Sequence, residues 1–511
     1  MIEKLFNKFR RIVDLIENSN IHLGYFIFTF LSIITIRNFL ELFSTKIELN
    51  TAVVFFHFYI GFISLATLLI LTFYILTRES IVKSIKIVLI GFSILPLPPI
   101  IDLIATGGRG FAMTYLLPEF HDHIILRFFT FFGHFEERGV SLGIKTEIFI
   151  ILVLTFLYFL AKKHGVFRSI ANAFIVYIII FGFFAIPFIL KGIFLLLGIN
   201  YDYSVDAWEI LSFLFLMMFF CGIIILYLID KKNFITIAKD ARYLRLSYYL
   251  GMFFCGIIVA KSTATLPITA QNLFDFLFTA MAITAAWLFS VTTNNIADYH
   301  IDKISNKNRP LVRRTIAIED YKKISTLLLV WAIICSTAVG PDTLFLVILF
   351  ISSYFIYSMP PIRLKRVIVL SKLIIALNSL VLVLLGFFTI TKTIKSFPGI
   401  LFPTLLIGIT ILANFIDIKD YEGDRKNNIK TLPTVLGLKL TKIIIGFSFV
   451  FFYTILYVLL PYYNLGNFWN FLFIPLGLLQ FYFVNQKKYQ DSYIIGTCVI
   501  TVFLFAILNI F

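Results

Sequence analysis

Residues 271–302 read QNLFDFLFTAMAITAAWLFSVTTNNIADYHID, and this stretch shows the character of the whole chain. Residues 271–293 are predominantly apolar, over the length that a helix needs to cross the hydrocarbon core of a bilayer, about 20 residues. The nine residues that follow are mostly polar and include Asp298 and Asp302. The stretch therefore predicts a transmembrane helix that carries carboxylates at one end.

The composition extends this prediction to the rest of the chain. Of its 511 residues, 60% are hydrophobic and 14% are charged, whereas a soluble domain carries roughly 25% charged residues. We therefore expect a multi-pass integral membrane protein that contacts membrane lipid. The net charge of +16 does not predict a nucleic-acid partner, because basic residues of membrane proteins collect in cytoplasmic loops beside anionic headgroups.

Apolar runs of similar length recur along the chain between charged or Pro- and Gly-containing breaks. They predict a first block of about six spans, near 22–44, 52–77, 87–105, 146–162, 169–197 and 208–230. A second block of about nine spans follows, near 243–260, 271–293, 324–340, 343–358, 369–391, 398–416, 440–460, 467–484 and 491–511. The predicted fold class is an all-α, polytopic transmembrane helical bundle.

A basic stretch, 231–245, separates the two blocks and sets the domain boundary. We predict one membrane domain at 1–235, whose role the sequence leaves open, and a second at 236–511. Residues 1–20 place their Lys and Arg residues largely away from a face of Leu, Phe, Ile and Val. That pattern predicts a basic amphipathic helix on the inner membrane surface.

The distribution of Lys and Arg predicts the orientation of the chain. With the N-terminus inside, the loops on the outer side of the second block keep only Lys261, Lys392 and Lys395, and the other loops of this block are basic. Cytoplasmic loops of membrane proteins carry this excess of basic residues. We therefore expect a plasma-membrane protein with its aspartate motifs in the cytoplasm and the loop 106–145 outside.

Two acidic clusters follow the ends of predicted spans. Asn294, Asp298 and Asp302 are spaced i, i+4, i+8, so on a helix they line one face, about 6 Å apart per turn. The second cluster, after the sixth span of the second block, reads DIKDYEGDR at 417–425 and is expected to place its three aspartates on one helical face.

Carboxylates at the end of an apolar helix are costly unless they are paired or bind a cation. Oxygen ligands suit Mg²⁺, which commonly bridges to phosphate oxygens. Since both clusters are predicted on the same side of the membrane, together they predict a diphosphate site that is held through shared magnesium ions, with nearby Arg and Lys neutralising the remaining charge.

Three segments resemble the UbiA superfamily of intramembrane prenyltransferases. The run 294–311, NNIADYHIDKISNKNRPL, resembles the family's first motif, Asn-Asp-x-x-Asp-x-x-x-Asp followed by Asn-Arg-Pro-Leu. The run 417–437, DIKDYEGDRKNNIKTLPTVLG, resembles its second motif, and 357–366, YSMPPIRLKR, resembles the basic segment after its fourth helix. The resemblance covers about 243–511 and implies a nine-helix core preceded by additional spans.

The resemblance implies a Mg²⁺-dependent transferase of alkyl or aryl groups other than methyl. It would move a prenyl group from an isoprenoid diphosphate to a lipophilic or aromatic acceptor, with an aromatic quinone precursor as the default. The implied ligands of one magnesium are Asn294, Asp298 and Asp302, and those of another are Asp417, Asp420 and Asp424.

The resemblance also implies further roles for single residues. The aspartates expected to act in catalysis are Asp298, Asp302, Asp420 and Asp424, and the expected diphosphate contacts are Arg309, Arg363, Lys365, Arg366 and Lys419. One departure from the family pattern is Asn295, which stands where the family usually has Asp. A neutral side chain therefore replaces a carboxylate beside the first motif.

Two other functions and one other site are open from the residues alone. CDP-alcohol phosphotransferases also use paired aspartates on transmembrane helices, but their Asp-Gly-x-x-Ala-Arg opening is absent from the sequence. A secondary transporter would show broken helices near mid-membrane and repeated halves, whereas these acidic clusters lie at helix ends. His121, Asp122 and His123, with His134 and Glu136, could bind zinc or copper, although their spacing fixes no third ligand.

Overall fold

The structure, a computed structural model, describes residues 2–45, 52–111, 114–118, 123–133, 140–198, 207–263, 269–426, 430–466 and 468–510. Of the histidine cluster, His121, Asp122, His134 and Glu136 lie outside the described residues, as does the side chain of Asp424. Throughout the described ranges the regular structure is helical and contains no strand. The all-α class predicted from the sequence is confirmed.

The chain divides into two compact units, Met1–Phe234 and Ile235–Phe511. Fifteen helices in the described part of the chain are long and apolar enough to cross a membrane, and the first unit contains the six from Leu23–Ser44 to Ala207–Ile229. The second unit contains the nine from Tyr243–Thr263 to Asp491–Asn509. The prediction of a multi-pass membrane protein is thereby confirmed.

The helices of the first unit are α1 Ile2–Glu17, α2 Leu23–Thr45, α3 Ala52–Thr77, α4 Ile81–Gly91, α5 Leu97–Ala105, α6 Ile124–Phe129, α7 Leu142–Ala161, α8 Val166–Phe184, α9 Ile186–Leu196 and α10 Ala207–Ile229. The next helix, α11 Lys231–Lys239, contains the boundary between the units.

Two predicted spans of the first unit are interrupted. The span near 169–197 breaks at Ala185, between α8 and α9. The span near 87–105 changes to a 3-10 turn at Phe92–Ile94 before α5, because the prolines that follow cannot donate helical hydrogen bonds.

The predicted helix near 1–20 is formed as α1, and its contacts anchor it to the first unit. Val13 and Glu17 are its buried side chains. The Glu17 carboxylate accepts hydrogen bonds from the Lys162 ammonium at 2.6 Å and from the Tyr158 hydroxyl at 2.9 Å, both on or beside α7. The Lys86 ammonium of α4 donates to the backbone oxygen that follows the helix, at Ser19. The C-terminal end of α1 is therefore fixed by ion pairs.

The second unit consists of α12 Tyr243–Thr263, α13 Ala270–Ala297, α14 Tyr299–Ser305, α15 Ile318–Val339, α16 Pro341–Ser358, α17 Ile368–Thr391, α18 Leu401–Leu412, α19 Tyr421–Lys426, α20 Leu432–Leu436, α21 Leu438–Leu459, α22 Phe473–Asn485 and α23 Asp491–Ile510. Successive long helices run in alternating directions. The C-terminal ends of α13, α16 and α18 therefore meet the N-terminal ends of α12, α15 and α17 at one end of the bundle, which we call the motif end.

Close packing of α12 against α17 holds the centre of the second unit together. Gly256 of α12 and Gly386 of α17 each face the backbone of the other helix. A Cβ atom at Gly256 would lie 1.9 Å from the Val383 carbonyl oxygen, and one at Gly386 would lie 1.9 Å from the Phe253 carbonyl oxygen. Small residues at such contacts allow helix backbones in membranes to approach each other. The two glycines therefore fix the distance between α12 and α17.

Candidate active site

The first aspartate motif continues the helical hydrogen-bonding pattern beyond the end of α13. The Asp298 amide donates to the Asn294 carbonyl at 2.9 Å, and the Asp302 amide donates to the Asp298 carbonyl at 2.8 Å. These i to i−4 bonds keep Asn294, Asp298 and Asp302 on roughly one face, as their spacing predicts. The motif begins at the membrane end of α13 and passes into the short helix α14.

Basic residues from the segment after α16 pair with this motif. The Asp298 carboxylate accepts from the Arg363 guanidinium, and from the Lys365 ammonium at 2.5 Å. The Asn294 side-chain oxygen accepts from the Ser358 hydroxyl at 3.0 Å and from the same lysine at 3.4 Å. Burial lowers the pKa of the Lys365 ammonium, and the hydrogen bond that it donates to Asp298 partly opposes this shift. The Asp298 carboxylate of the first motif is thus neutralised by two basic side chains, those of Arg363 and Lys365.

The second motif does not form the single helix that the sequence predicted. A 3-10 segment, Ala413–Ile418, follows α18, and α19 begins only at Tyr421. Residues i and i+3 eclipse each other in a 3-10 helix, and the Asp420 amide donates to the Asp417 carbonyl at 3.2 Å. Asp417 and Asp420 therefore still lie on one side of the chain, for a different reason than the one predicted.

The two aspartates of this segment have different surroundings. Asp417 is buried, and the Lys372 ammonium lies 2.5 Å from its Oδ1 atom. Asp420 reaches the surface. Loss of hydration raises the pKa of the Asp420 carboxyl, Lys419 opposes that shift, and the carboxylates of Asp417 and Asp491 add to it. A divalent cation would relieve the same repulsion between carboxylates.

The two motifs approach the same cavity of the second unit. Tyr357 and Asn294 line it, and so do Phe415 and Ile416 of the 3-10 segment that carries Asp417. The segments that are separated by more than a hundred residues in the sequence thus face a common region at the motif end. This arrangement is the one that a diphosphate bridged between two acidic motifs requires.

A second polar network lies behind the first motif and is centred on Asn295. The Asn295 side chain is only 1% exposed. Its amide nitrogen donates to the Asp240 carboxylate and to the Tyr321 hydroxyl, and its oxygen accepts from Arg242 at 3.0 Å. The Arg309 guanidinium lies 3.2 Å from Asp240. Asn295 therefore takes part in a buried network and does not share the face of Asn294.

Arginines connect this network to the first motif. The Arg309 Nε atom lies 4.0 Å from Oδ2 of Asp302, so Arg309 spans the distance between Asp240 and the motif. Burial, with contributions from Arg309 and Arg245, lowers the pKa of the Arg242 guanidinium to about 10. Arg242 is therefore cationic at neutral pH, and the region favours an anion.

A cavity of about 260 Å³ opens within the second unit beside the motifs. Arg242, Arg245, Asn294 and Ser358 line it at the motif end, and the rest of its wall is mainly aliphatic and aromatic. Its lining continues to residues near the opposite ends of the helices, namely Leu460, Phe473 and Phe505. Such a cavity suits a long apolar chain that carries a charged group at one end.

Three aromatic rings form a cluster in the cavity wall near the motif end. The ring centroids of Tyr249 and Trp287 are 5.1 Å apart, those of Trp287 and Tyr354 are 5.8 Å apart, and those of Tyr249 and Tyr354 are 6.1 Å apart. The Trp287 indole donates to the Ala241 carbonyl at 2.8 Å, which holds the ring in place. Aromatic faces of this kind stabilise a nearby positive charge.

Comparison with known proteins agrees with this geometry. Residues 249–493 match the sequence profile of the UbiA prenyltransferase family. The match covers most of the second unit. The N-terminal part of the chain has no family match.

Individual UbiA relatives match shorter stretches. The homogentisate phytyltransferase of Synechocystis sp. is 31% identical over 182 residues, which cover 33% of this chain and 58% of the relative. A digeranylgeranylglyceryl phosphate synthase of Sulfurisphaera tokodaii is 30% identical over 153 residues, 29% of this chain and 52% of the relative. The chain thus spans about half the length of the curated relatives it matches. A UbiA homologue from Archaeoglobus fulgidus, solved with DMAPP and Mg²⁺, superposes with a TM-score of 0.44 at 16% identity, over 54% of this chain and 98% of that chain.

The structure brings most of the predicted UbiA site residues to the motif end. Arg363 and Lys365 contact Asp298, and Arg309 lies beside Asp302. Lys419 instead pairs with Asp491 at 2.7 Å, and Arg366 is exposed. Diphosphate contact by all five of these basic residues stays a prediction.

Basic side chains pair with two of the predicted metal ligands. Among the described residues, no three His, Cys, Asp or Glu side chains lie close enough together to hold a metal ion. Asp298 and Asp417 are each paired with cationic groups. The assignment of Asn294, Asp298, Asp302, Asp417 and Asp420 as magnesium ligands therefore stays a prediction.

Several site residues were not predicted from the sequence. Lys372 lies inside the predicted span 369–391, where a single basic residue is outweighed by its apolar neighbours. It could have been found, because a charged residue within a membrane span indicates a functional site by default. Asp240 and Arg242 lie in the basic stretch that was interpreted as a linker, and no pattern in the sequence distinguishes them from topology signals.

Proposed function

We propose that the protein is a membrane-embedded prenyltransferase that transfers a prenyl group from an isoprenoid diphosphate to an apolar or amphipathic acceptor. The observation that carries this proposal is an apolar cavity whose wall includes Asn294 of the first motif and Ile416 beside Asp417 of the second, next to the ion pairs of Asp298 and Asp417. We assign catalysis to residues 236–511 and leave 1–235 as a separate membrane domain.

The names of the relatives support the reaction class. One is called a homogentisate phytyltransferase and another a naringenin 8-dimethylallyltransferase, so both names describe transfer of an isoprenoid group to an aromatic compound. The synthase from Sulfurisphaera tokodaii is named for a lipid product. We propose an aromatic acceptor first, such as a quinone precursor, and a glycerol-phosphate lipid as the second candidate.

The donor atoms of the two motifs fit magnesium. Asn294, Asp298 and Asp302 in one motif, and Asp417, Asp420 and Asp424 in the other, offer the carboxylate and amide oxygens that Mg²⁺ prefers. Asp298 and Asp417 pair with long, flexible Lys and Arg side chains, which can move to phosphate oxygens. When bound, magnesium would neutralise part of the charge that grows on the departing diphosphate.

The basic residues of the site have a direct role in binding. Arg363, Lys365 and Lys372 each pair with a motif carboxylate, and each would transfer this interaction to a phosphate oxygen when the donor enters. Charge-assisted hydrogen bonds from Arg and Lys to phosphate are among the strongest in proteins. The exchange of partners frees the carboxylates at the moment when the donor arrives.

The cavity wall has the second role. As the allylic C–O bond breaks, its electron pair stays with the diphosphate and positive charge develops on the prenyl carbon. The rings of Tyr249, Trp287 and Tyr354, which line the cavity, would stabilise that charge. A nucleophilic carbon or oxygen of the acceptor then bonds to the cation and loses a proton. The apolar lining excludes water, which would otherwise compete as the nucleophile.

The proposal is tested with the purified full-length chain in detergent or lipid nanodiscs with Mg²⁺. Geranyl, farnesyl and geranylgeranyl diphosphate serve as donors, and homogentisate or geranylgeranylglyceryl phosphate as acceptors. We expect one acceptor class to give a prenylated product together with free diphosphate, both detected by mass spectrometry. Release of a nucleoside monophosphate from a CDP-alcohol, without any prenylated product, would instead establish the phosphotransferase alternative.

A further inference from the structure

The exchange of Asp for Asn at position 295 has a physical explanation in the neighbouring residues. The Asn295 amide nitrogen is in direct hydrogen-bonding contact with a carboxylate oxygen of Asp240. A second carboxylate at position 295 would therefore press against the first, and like charges in contact disfavour ionisation of both. An amide removes this repulsion, because its NH₂ group donates to the carboxylate.

Asp240 has contacts in three directions. Its Oδ1 atom lies 3.2 Å from Nη1 of Arg309, and its Oδ2 atom accepts from the Tyr321 hydroxyl at 3.1 Å. The third contact is the Asn295 amide, whose oxygen in turn accepts from Arg242 at 3.0 Å. Tyr321 is fully buried, so this arrangement is well shielded from water.

The network ends on two guanidinium groups that face the proposed donor site. Arg242 lines the cavity together with Asn294 of the first motif. Arg309 lies beside Asp302 of the same motif. The Asp240 carboxylate thus fixes Arg309 directly, and it fixes Arg242 through the Asn295 amide. Both arginines approach the motif from the side of α11 and α15.

We propose that Asp240 is a positioning residue of the prenyl diphosphate site, and that it replaces the carboxylate which the family usually carries at position 295. This inference rests on the proposed function, and it concerns how the donor is held. Asp240 itself lies behind the arginines and is not expected to touch the donor. Its effect is to set the direction of two cationic groups before the donor binds.

The test is a charge exchange between the two positions in the full-length chain. Asp240→Asn and Asn295→Asp are made singly and together, and KM for the prenyl diphosphate is measured apart from kcat. Each single variant is expected to raise this KM about 10- to 100-fold, the range for loss of a hydrogen bond to a charged group. The double variant again holds one carboxylate and one amide, so its KM should return to within several-fold of the wild type.

Two further variants keep the test decisive. Tyr321→Phe keeps the buried ring and removes one hydrogen bond to Asp240, and a severalfold rise in KM is expected from it even where Asp240→Asn folds poorly. Asp320→Asn is the matched control, since Asp320 makes only an exposed pair with Lys323 and the exchange should leave KM and kcat unchanged.

The outcomes separate this inference from the proposed function. Wild-type protein that neither binds nor turns over any of the donors overturns both. Wild-type activity with an unchanged KM in Asp240→Asn and Tyr321→Phe overturns the positioning role alone. A double variant whose fold-increase in KM equals the product of the two single fold-increases also overturns it. The free-energy effects of two independent sites add, whereas those of two residues in a shared network do not.

Discussion

The ion pair between Lys372 and Asp417 gives the most demanding prediction, because it concerns both stability and function. Both side chains are largely buried, with exposures of 7% and 12%, and the two charged atoms are 2.5 Å apart. Substituting Lys372 by Met keeps the length of the side chain and removes its charge. The Asp417 carboxylate is then left buried without its counter-charge.

The size of the effect follows from this burial. Removing one partner of a buried ion pair costs about 3–5 kcal/mol, mostly because the other charge stays uncompensated. For a domain of this size we expect a fall in the melting temperature of about 10 °C, at roughly 2–4 °C per kcal/mol. The double variant Lys372→Met, Asp417→Asn removes both charges, and most of the lost stability should return.

Activity is expected to follow a different pattern from stability. If Lys372 binds the diphosphate and Asp417 binds magnesium, the double variant regains its melting temperature but stays inactive. Thermal unfolding in detergent and prenyl transfer are measured on the same preparations. Lys323→Met serves as the control, because its pair with Asp320 is exposed and worth at most about 1 kcal/mol. A single variant with unchanged melting temperature, or an active double variant, would refute the reasoning.

Four further predictions concern the motifs, the metal, the helix packing and the orientation. Asp298→Asn and Asp420→Asn should each lower turnover at least about 100-fold with little change in expression, and near wild-type turnover would contradict their assignment. EDTA should abolish activity and Mg²⁺ should restore it, so full turnover in metal-free buffer would exclude the proposed site. Gly256→Ala places a Cβ 1.9 Å from the Val383 carbonyl oxygen and should cost at least about 1–3 kcal/mol, whereas Gly496→Ala, with no neighbour within 4 Å, should not. In a chain without its native cysteines, Thr114→Cys should react with a membrane-impermeant thiol reagent in intact cells, whereas Lys307→Cys should react only after the membrane is opened. The reverse labelling would overturn the predicted orientation.

The positions of the spans could be predicted because the bilayer imposes a length and a polarity on every crossing segment. Average hydropathy does not show the interruptions inside spans, although the prolines at 96, 98 and 99 indicate the first of them. The average hydropathy of 87–105 does not reveal the 3-10 turn before α5. The average hydropathy of 169–197 likewise does not reveal the break at Ala185 between α8 and α9. Both breaks lie beside prolines, whose missing N–H and restricted φ interrupt helical hydrogen bonding.

Spacing predicted the face shared by Asn294, Asp298 and Asp302 because the helical hydrogen bonds continue through the motif. The same argument was wrong about the second motif, since the chain changes to a 3-10 conformation at Ala413. Local sequence does not record that change, because both helix types suit the same residues. Similarly, no sequence pattern shows which basic loop residue will meet which carboxylate, since those contacts depend on how distant helices pack.

Asn295 shows how a departure from a family pattern can be interpreted once its neighbours are known. From the sequence alone, a neutral side chain in an acidic motif suggests weaker metal binding. In the structure, that side chain is directed into a network with Asp240 and Arg242, away from the face that carries Asn294. The negative charge is therefore retained near the motif, but it comes from a different segment. We therefore expect the effect of the exchange to fall on the arginines of the proposed donor site, and metal affinity to depend on Asn294, Asp298 and Asp302.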